Sequence, residues 1–521
     1  MLYKATVEAR DGTVIPVFSD GKTMFSRYAP LKEVDNFGSH LQLEGTAGSF
    51  FVVAGLGNGI RIQALRKKFP QSVILIVEKS DKEIKWLKDN FSLQSLLNKE
   101  NIWLTTCTQA AQIFIQLYNP LLHGNFFFLP VRSWVDQIPE EAAKLKATLE
   151  QALTSIAGDY STQAHFGKLW FRNFFLNLKS FVKNPKDFQL EIQQELAFVA
   201  AAGPSLDSFI PQLKNSQIRD KIYLIATDTA LPALLRQKII PDMTVTIDGQ
   251  VASIRHFLQN LPSSMVLAAD ISSSPDVVLR CKEKGCPILF FRNKNPLPLL
   301  LEKYLKEKAI GSTAPHTVLF PEIDTGSGTV TSAAVDVAYK LGFSQIQVGG
   351  GDFAYLQGKP YCQGTYFEDQ FCTTSCRTYP TEQKYMQLMY RGKTFSSDGK
   401  IETAILTEYR KSFENYIKSH ADVVIITDSH KIYTEKKDNF KSRRIKLNSC
   451  QLKISNLSRS DFNGFIDWYK ILLKEEKQEV ISSILPLFGW YIKKNNDKCD
   501  IFYIMKLAYS QTVRYTETYG K

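Results

Sequence analysis

Small and acidic residues follow several apolar runs in the middle of the chain, where they could bind an anionic ligand. The Gly-Pro-Ser turn at residues 203–205 ends the run FVAAA and precedes a predicted helix start. Amide groups at such a start attract phosphates whatever the side chains are. Asp228 and Asp248 end two further runs, and Asp352 follows three glycines. These residues would suit a nucleotide diphosphate or a nucleotide-sugar phosphate.

Buried strands are the elements that must position these residues. The predicted strands cover residues 199–202, 222–226, 243–247, 265–269 and 346–348. In open α/β sheets, ligands bind outside the carboxyl ends of the strands, so we expect the polar residues on one rim. A second anion or sugar-carboxylate cradle is predicted at Ser327, Gly328 and Thr329, because hydroxyls and glycine amides there open a helix.

Another glycine turn lies near the N-terminus. Gly55, Gly57 and Gly59 follow a predicted strand and precede a helix, and Glu78 follows the next strand, 19 positions after the last glycine. Rossmann folds use this spacing to approach a dinucleotide or S-adenosylmethionine and to hold its ribose. The alternative is a Rossmann-like scaffold with an empty pocket, because Asn58 enters the turn and no catalytic constellation follows.

Length and composition limit the classes of protein that the chain can form. A chain of 521 residues exceeds a single hydrophobic core, so two to four domains are expected. No uncharged apolar run of about 18 residues occurs, and the first residues carry charges, so a soluble cytoplasmic protein without membrane contact is expected.

Charge and cysteine content favour neither a nucleic-acid partner nor a metal. The net charge of +12 is spread along the chain, and its densest cluster, residues 435–446, is either a solvated loop or a docking patch for an acidic partner or nucleotide substrate. Eight cysteines are too few for a disulfide scaffold. Cys362, Cys372 and Cys376 lack the second pair or histidine of a zinc site.

The sequence predicts a multi-domain α/β protein. Residues 1–138 are expected to form a Rossmann-like domain, residues 139–183 a helical connector, residues 184–395 a central α/β domain, and residues 396–521 a mainly helical C-terminal domain. The apolar faces of that last region are either intramolecular core or an acceptor-binding surface.

Four ordered blocks in the central domain resemble a known family. They are AAAGPSLDSF, ATDTALPALL, PDMTVTIDGQ and DTGSGTVTSAAVDVAYKLGFSQIQVGGGDFAYLQGKPY. Together they look like the motility accessory factor (Maf) family of flagellin glycosyltransferases. The central domain of that family is similar to 6-hydroxymethylpterin pyrophosphokinase-like proteins and to bacterial sialyltransferases that use CMP-activated sugars.

The resemblance implies transfer of a nonulosonic acid, of pseudaminic or legionaminic type, from its CMP donor to Ser or Thr of flagellin in the cytoplasm. Flagellin and the CMP-sugar are the implied partners, and no cofactor beyond the donor is implied. Ala202 stands where the sialyltransferases place Asn, so one side-chain contact is missing. The implied nucleotide-sugar contacts are Ala202, Gly203, Pro204, Ser205, Asp228, Asp248, Ser327, Gly328, Thr329, Gly351 and Phe353.

The base for the acceptor hydroxyl is the open role. The sialyltransferases use a histidine after a Gly-x-Asp-Phe block, but residues 317–419 contain none here. Asp352, Tyr361, Glu368 or Asp369 must substitute, or the base lies outside this segment. Asp352 is favoured as the catalytic residue, with Tyr361 beside it. Its alternative role is to bind turn amides or sugar hydroxyls.

Two other classes of function stay open. A pterin pyrophosphokinase would need Mg²⁺ and ATP, for which Asp228, Asp248 and Asp270 could supply oxygen ligands. The length of the chain argues against that class. A non-catalytic flagellin-binding factor would retain the fold without the missing Asn and His.

Overall fold

The structure is a computed structural model that describes residues 1–40, 49–182, 190, 192–308, 320–325, 328–397, 399–427, 429–435, 457–495 and 499–518. The chain forms two compact units, unit 1 (residues 1–165 and 488–496) and unit 2 (residues 166–487 and 497–521). Within the described ranges, no helix has the length and apolar character needed to cross a bilayer. The basic cluster at residues 436–446 lies outside the described residues.

Unit 1 contains a hairpin and a parallel sheet. Strands β1 (Tyr3–Glu8) and β2 (Val14–Phe18) pair antiparallel. The parallel sheet has the order β5-β4-β3-β6. Its strands are β3 (Phe50–Ala54), β4 (Val73–Glu78), β5 (Ile102–Thr106) and β6 (Phe126–Pro130). The predicted βαβ unit is confirmed. The strand order of this sheet reverses between β3 and β6, which is its switch point.

Helices cover this sheet. They are Pro30–His40, Ile60–Lys68, Asp81–Asn90, Gln94–Leu97, Ala110–Leu117, Pro120–His123, Arg132–Gln137 and the first part of Pro139–Val182. Every residue of β3 and β4 is buried, which is why these strands read as continuous apolar runs in the sequence.

Unit 2 is built on a seven-stranded, wholly parallel sheet with the order β11-β10-β9-β8-β7-β12-β16. Its strands are β7 (Leu196–Ala200), β8 (Ile222–Thr227), β9 (Met243–Thr246), β10 (Val266–Asp270), β11 (Ile288–Phe291), β12 (Gln345–Gly349) and β16 (Val424–Ile426). A smaller antiparallel sheet joins β13 (Tyr355–Leu356), β15 (Lys400–Thr403) and β14 (Thr394–Ser397).

Alternate side chains of β7 serve two hydrophobic cores, one on each face of the sheet. Ala197 and Val199 belong to one core, and Leu196, Phe198 and Ala200 belong to the other. This two-residue alternation is the geometry of a strand buried on both faces. Strands β7 to β10 and β12 are parallel neighbours, so their carboxyl ends lie at one edge of the sheet.

The helices of unit 2 surround the large sheet and extend beyond it. They are the end of Pro139–Val182, Ile210–Leu213, Ser216–Arg219, Leu231–Arg236, Pro275–Glu283, Pro296–Lys308, Val330–Lys340, Tyr366–Thr373, Thr381–Met389, Ala404–Ser419, Arg459–Lys474, the start of Ile481–Asn495 and Ile501–Val513. Short 3-10 helices form at Pro204–Ser208, Val251–Phe257 and Gln478–Val480, and a π-helical turn at Arg514–Thr518.

The segment after residue 395 contributes to this sheet before it becomes helical. Strand β16 pairs with β12, and Phe413 and Tyr416 of the helix Ala404–Ser419 lie in one of the sheet's two cores. A strand of three residues carries too little periodicity to be assigned to a particular sheet from sequence.

Candidate functional site

The order in which the chain adds strands to the large sheet reverses between β7 and β12. Strands β8 to β11 follow β7 on one side, and β12 and β16 lie on the other. The crevice outside the carboxyl ends at such a switch point is the usual ligand site of an open α/β sheet. The 203–205 turn and the glycines before Asp352 both lie there.

Backbone hydrogen bonds tie these two loops together. Ala201 N donates to Gly349 O at 2.8 Å, and Gly203 N donates to Gly350 O at 2.8 Å. A Cβ at Gly203 would lie 2.4 Å from Gly350 O and 2.4 Å from an oxygen of Asp352. The glycine is therefore required by the close approach of the two loops.

Asp352 binds the turn. Its Oδ2 accepts a hydrogen bond from Ser205 N at 2.9 Å, at the start of the 3-10 helix Pro204–Ser208. Burial raises the pKa of Asp352, although the hydrogen bonds from Ser205 and the charge of Lys400 oppose the shift. The carboxylate thus fills the position in which the sequence predicted a phosphate.

This contact corrects the predicted cradle at residues 203–205. Gly203 N and Ser205 N are both engaged by the chain itself, and Pro204 has no amide proton. The turn is a clamp between two strand ends, so a donor phosphate needs its amides from another element. Ala202 is buried and its carbonyl accepts from Cys362 N at 2.9 Å.

The second predicted cradle is at the start of the helix Val330–Lys340. This helix precedes β12, and Thr331 in its first turn lies beside Gly351 in the loop after β12, so the N-terminus of the helix lies at the same sheet edge. Thr329 caps it by accepting from Ser332 N at 3.2 Å, and Gly328 has a φ of +70°. Ser327 lies outside the described residues.

Gly351 and Phe353 connect that helix to Asp352. A Cβ on Gly351 would lie 3.8 Å from Thr331 Cγ2, so the β12 loop runs beside the helix start. Phe353 has a φ of +46°, which is uncommon for an aromatic residue, and its ring packs 5.4 Å from that of Phe413. The backbone at the strand tip is therefore held in an unfavourable conformation by packing.

The other acidic strand ends are turned toward their own loops. Asp228 is 2% exposed and accepts from Thr229 N at 2.6 Å and from the Thr246 hydroxyl at 2.8 Å. Asp248 accepts from Gln250 N at 2.8 Å, and its pKa is raised, chiefly by burial. Of the two, Asp248 is the more accessible to a ligand.

Asp270, at the end of β10, is fully enclosed. Its Oδ1 accepts from Ser272 N at 2.7 Å, whereas Oδ2 is buried without a partner in the described part of the chain. Burial raises the pKa of this carboxyl to about 6. Its position makes it a structural group rather than a rim ligand.

A segment after β13 lies against the clamp and the rim. Tyr361 stacks on Phe367, with ring centroids 4.8 Å apart and planes at 7°. Gln363 N donates to Asp207 at 2.9 Å. Burial raises the pKa of Tyr361, so its hydroxyl keeps its proton at neutral pH. Tyr361 can therefore donate a hydrogen bond but is poorly suited to act as a base.

The two other carboxylates proposed as bases are already paired. Asp369 forms an ion pair with Arg236, and Glu368 accepts from Gly364 N. Across the described residues, no group of three or more His, Cys, Asp or Glu side chains is arranged to hold a metal ion, and this applies to Cys362, Cys372 and Cys376.

Sequence reasoning missed His256, on the 3-10 helix Val251–Phe257. Its ring lies 5.8 Å from that of Tyr366 and 5.9 Å from that of Phe367, and it is within electrostatic range of Asp248. The sequence shows that His256 follows Asp248 in the same loop, which was the available indication. The family resemblance predicts a histidine only in the segment after β12.

Unit 1 uses its glycine turn differently. A Cβ on Gly55 would lie 2.8 Å from Met24 and 3.0 Å from Trp134, and a Cβ on Gly57 would lie 2.9 Å from Phe25. Side chains of unit 1 thus cover the turn. Gly59 ends it as the N-cap of the helix Ile60–Lys68.

Glu78 is fully buried beneath this turn. It accepts from Tyr3 Oη at 3.2 Å, Leu56 N at 3.1 Å, Lys79 N at 2.9 Å and Trp134 Nε1 at 2.6 Å. Four donors occupy a carboxylate that has about four acceptor positions. The ribose-binding role predicted for Glu78 does not fit this arrangement, in which burial raises its pKa.

A shallow cleft of about 350 Å³ lies near the same switch point. Met24 and Phe25 form part of its wall, with Arg61, Arg132 and Asp136 around them. Burial lowers the pKa of Arg61 to about 10, which leaves the guanidinium charged at neutral pH. Any ligand of unit 1 would meet this cleft rather than Glu78.

Comparison with known proteins found a family match within unit 2 and a structural match over most of the chain. The family model described as "6-hydroxymethylpterin diphosphokinase MptE-like" matches residues 172–358, which contain β7 to β13 and the clamp. The structure of MAf glycosyltransferase from Magnetospirillum magneticum AMB-1 aligns with 99% of this chain and 86% of its own, at 13% identity and a TM-score of 0.51. That likeness shows the fold.

The fold and the clamp define a multi-domain α/β protein with an MptE-like central domain in a Maf glycosyltransferase fold. An uncharacterized protein of Treponema pallidum (strain Nichols) is 37% identical over 145 residues, which are 28% of this chain and 68% of that protein. A second protein of that organism is 26% identical over 265 residues, 50% of this chain and 80% of its own. The chain belongs to the same family as the first of these treponemal proteins.

Proposed function

We propose that the protein is a glycosyltransferase. It moves a nonulosonic acid, of pseudaminic or legionaminic type, from its CMP donor to Ser or Thr of flagellin in the cytoplasm, as flagellar assembly and motility require. The observation that carries the proposal is the switch point of unit 2, where the clamp at residues 203–205, the β12 loop and a helix N-terminus meet. The fold that holds them resembles that of a Maf glycosyltransferase.

The helix Val330–Lys340 is the element best suited to the donor phosphate. Its 11 residues give it a full dipole, its first turn contains no acidic residue, and it starts at the rim. Gly328, with a φ of +70°, lets a ligand approach the backbone closely. The phosphate contact therefore moves from the turn at 203–205 to residues 328–331.

The chemistry needs stabilised charge and correct positioning. CMP leaves from a tertiary anomeric carbon next to a carboxylate, through an oxocarbenium-like state, while negative charge grows on the phosphate. Backbone amides fixed at a helix start stabilise that charge without reorganising. A clamp that fixes Asp352 and the strand tips keeps donor and acceptor aligned.

Asp352 positions the site in this account. One carboxylate oxygen is committed to Ser205 N, and its pKa is raised, so it organises the turn and can bind a sugar hydroxyl with its other oxygen. The alternative role that the sequence left open for Asp352, binding turn amides, matches this contact better than the role of base.

The test uses unglycosylated flagellin with CMP-pseudaminic acid or CMP-legionaminic acid, and the mass of intact flagellin is the readout. We expect the mass to increase by whole nonulosonic-acid units with one of the two donors. Gly203→Ala removes the increase, because the added Cβ collides with Asp352 and Gly350 O. The matched control is Gly392→Ala, where an added Cβ meets open space. No mass change with wild-type protein contradicts the proposal and favours a non-catalytic flagellin-binding factor.

The match to the MptE-like family favours one second candidate, a pterin pyrophosphokinase that uses Mg²⁺ and ATP. In that candidate, Asp228, Asp248 and Asp270 would supply the oxygen ligands of Mg²⁺. Each of these carboxylates accepts a hydrogen bond from a backbone amide of the loop that follows it. AMP release from ATP, Mg²⁺ and 6-hydroxymethyldihydropterin, without transfer to flagellin, would establish this candidate instead.

A further inference from the structure

The ring of His256 packs against the segment that follows β13, residues 361–373, which is called the covering segment below. It packs against Tyr366 nearly edge-on, with planes at 87°, and against Phe367 at 57°. Its Nδ1 is buried and has no hydrogen-bond partner in the described part of the chain. Aromatic packing holds the ring, and Nδ1 is an unpaired buried atom, although buried polar atoms normally find partners.

Direct contacts connect this ring to the clamp. Cys362 N donates to Ala202 O, which joins the covering segment to the 203–205 turn. Tyr361, next to Cys362, stacks on Phe367, and Phe367 contacts His256. The helix Val251–Phe257 follows β9 along the chain, and His256 lies close enough to Asp248 to act on it electrostatically.

The proposed reaction needs a group that removes a proton from the acceptor hydroxyl. Imidazole is suited to this at neutral pH, because its ordinary pKa is near 6.5. The carboxylates and the phenol considered from sequence are each engaged: Asp352 with Ser205 N, Glu368 with Gly364 N, Asp369 with Arg236, and Tyr361 in a buried stack.

We infer that His256 is the general base of the transfer, an inference that rests on the proposed function. A ring nitrogen of neutral His256 takes the proton of the Ser or Thr hydroxyl as its oxygen bonds to the anomeric carbon. The bond from that carbon to the phosphate oxygen breaks, and its electron pair leaves with CMP. Asp248 stabilises the imidazolium that this step forms, since the two charges attract.

The charged and titratable groups on the elements around His256 include both signs. They are Asp228 and Asp248 at the strand ends, Arg255 on its own helix, Asp276, Arg280, Cys281, Lys282 and Glu283 on the helix Pro275–Glu283, Arg236 on Leu231–Arg236, and Tyr361, Tyr366, Glu368 and Asp369 on the covering segment. Asp248 is the carboxylate whose pKa responds to His256, so it is the partner chosen for the test.

The experiment measures the transfer rate to flagellin for full-length wild type, His256→Ala and His430→Ala, each with and without added imidazole. CMP affinity is measured by titration calorimetry. We expect His256→Ala to lower the rate roughly 10²-fold or more, to keep CMP affinity, and to recover part of the rate with imidazole. His430, exposed and in the same unit, is the control and should behave as wild type.

Asp248→Asn supplies a second test that does not depend on the stability of His256→Ala. Without the carboxylate, the imidazolium formed in the step loses the negative charge that stabilises it, so we expect the transfer rate of Asp248→Asn to fall. An unchanged rate in Asp248→Asn, an unchanged rate in His256→Ala, or a loss of rate in His256→Ala together with CMP affinity and without imidazole recovery would overturn the inference. If wild type transfers neither sugar, the proposed function fails as well, which separates that failure from failure of the base alone.

Discussion

The two units each place a glycine turn at the switch point of a parallel sheet, and in each a carboxylate binds an amide of that turn. In unit 1, Glu78 accepts from Leu56 N, and in unit 2, Asp352 accepts from Ser205 N. The resemblance ends there. Glu78 is completely buried with four donors, whereas Asp352 is only partly buried and binds its turn through a single oxygen.

The two turns differ in how accessible they are to a ligand. Met24, Phe25 and Trp134 pack on the glycines of unit 1, whereas the clamp of unit 2 borders the start of the helix Val330–Lys340. A glycine turn with an acidic residue nearby therefore does not define a ligand site. What defines one is whether the chain's own side chains already fill the space and the hydrogen-bonding positions.

The largest effect is expected from Gly203→Ala. The added Cβ would lie 2.4 Å from two oxygen atoms, so the loops after β7 and β12 must separate. A displacement of about 1 Å in a catalytic site lowers rates roughly 100-fold, and we expect at least that loss of transfer. Gly392→Ala should keep the wild-type rate in the same flagellin assay, and equal rates for the two variants would show that the clamp does not position the site.

Replacing each carboxylate by alanine tests the comparison directly. Glu78→Ala leaves four buried donors without an acceptor and should lower the free energy of unfolding by at least about 3 kcal/mol. Asp352→Ala frees one amide near solvent and should cost about 1 kcal/mol. Urea unfolding measures both. A larger loss for Asp352→Ala would reverse the assignment of structural and functional turns.

Asp270 extends the comparison to a third acidic strand end. Its folded pKa is about 6 and its unfolded pKa is near 4, so its contribution to stability is complete below about pH 4 and is lost as pH rises through about 6. The loss amounts to about 3 kcal/mol. Asp270→Asn should remove this dependence in urea unfolding between pH 4.5 and 7.5. Exposed Asp276→Asn is the control and should retain it.

The smallest expected effect is a difference in KM between variants of two similar helix caps. Thr329 and Thr403 each accept from a backbone amide three residues on, both at 3.2 Å. Replacing either by alanine should cost about 1 kcal/mol of stability. Only Thr329→Ala is expected to raise KM for the CMP donor, since its helix start is the proposed phosphate cradle. An equal rise in KM for Thr403→Ala would remove that distinction.

The strands were readable from the sequence because both faces of these sheets are buried, so runs such as residues 50–54 and 222–226 are continuously apolar. The rim followed from the rule that parallel strands end at one edge. The sequence did not reveal that Asp352 would bind Ser205 N, 147 positions away, because that contact depends on β12 lying beside β7.

The same reason explains the other differences. Trp134, 56 positions after Glu78, packs on the glycine turn of unit 1 and binds Glu78. The local glycine pattern gives no indication of this distant residue. His256 was missed because the segment that covers it, residues 361–373, comes more than 100 positions later. Local spacing predicts elements, whereas the partners of a polar side chain depend on topology.

Hydrogen–deuterium exchange with and without CMP-pseudaminic acid or CMP-legionaminic acid tests the central claim most directly, since it reports which glycine turn meets the donor. We predict slower exchange at residues 328–332 and 349–356 of unit 2, and unchanged exchange at residues 55–60 of unit 1. Protection of residues 55–60 with no change in unit 2, or no protection at either turn, would contradict the account.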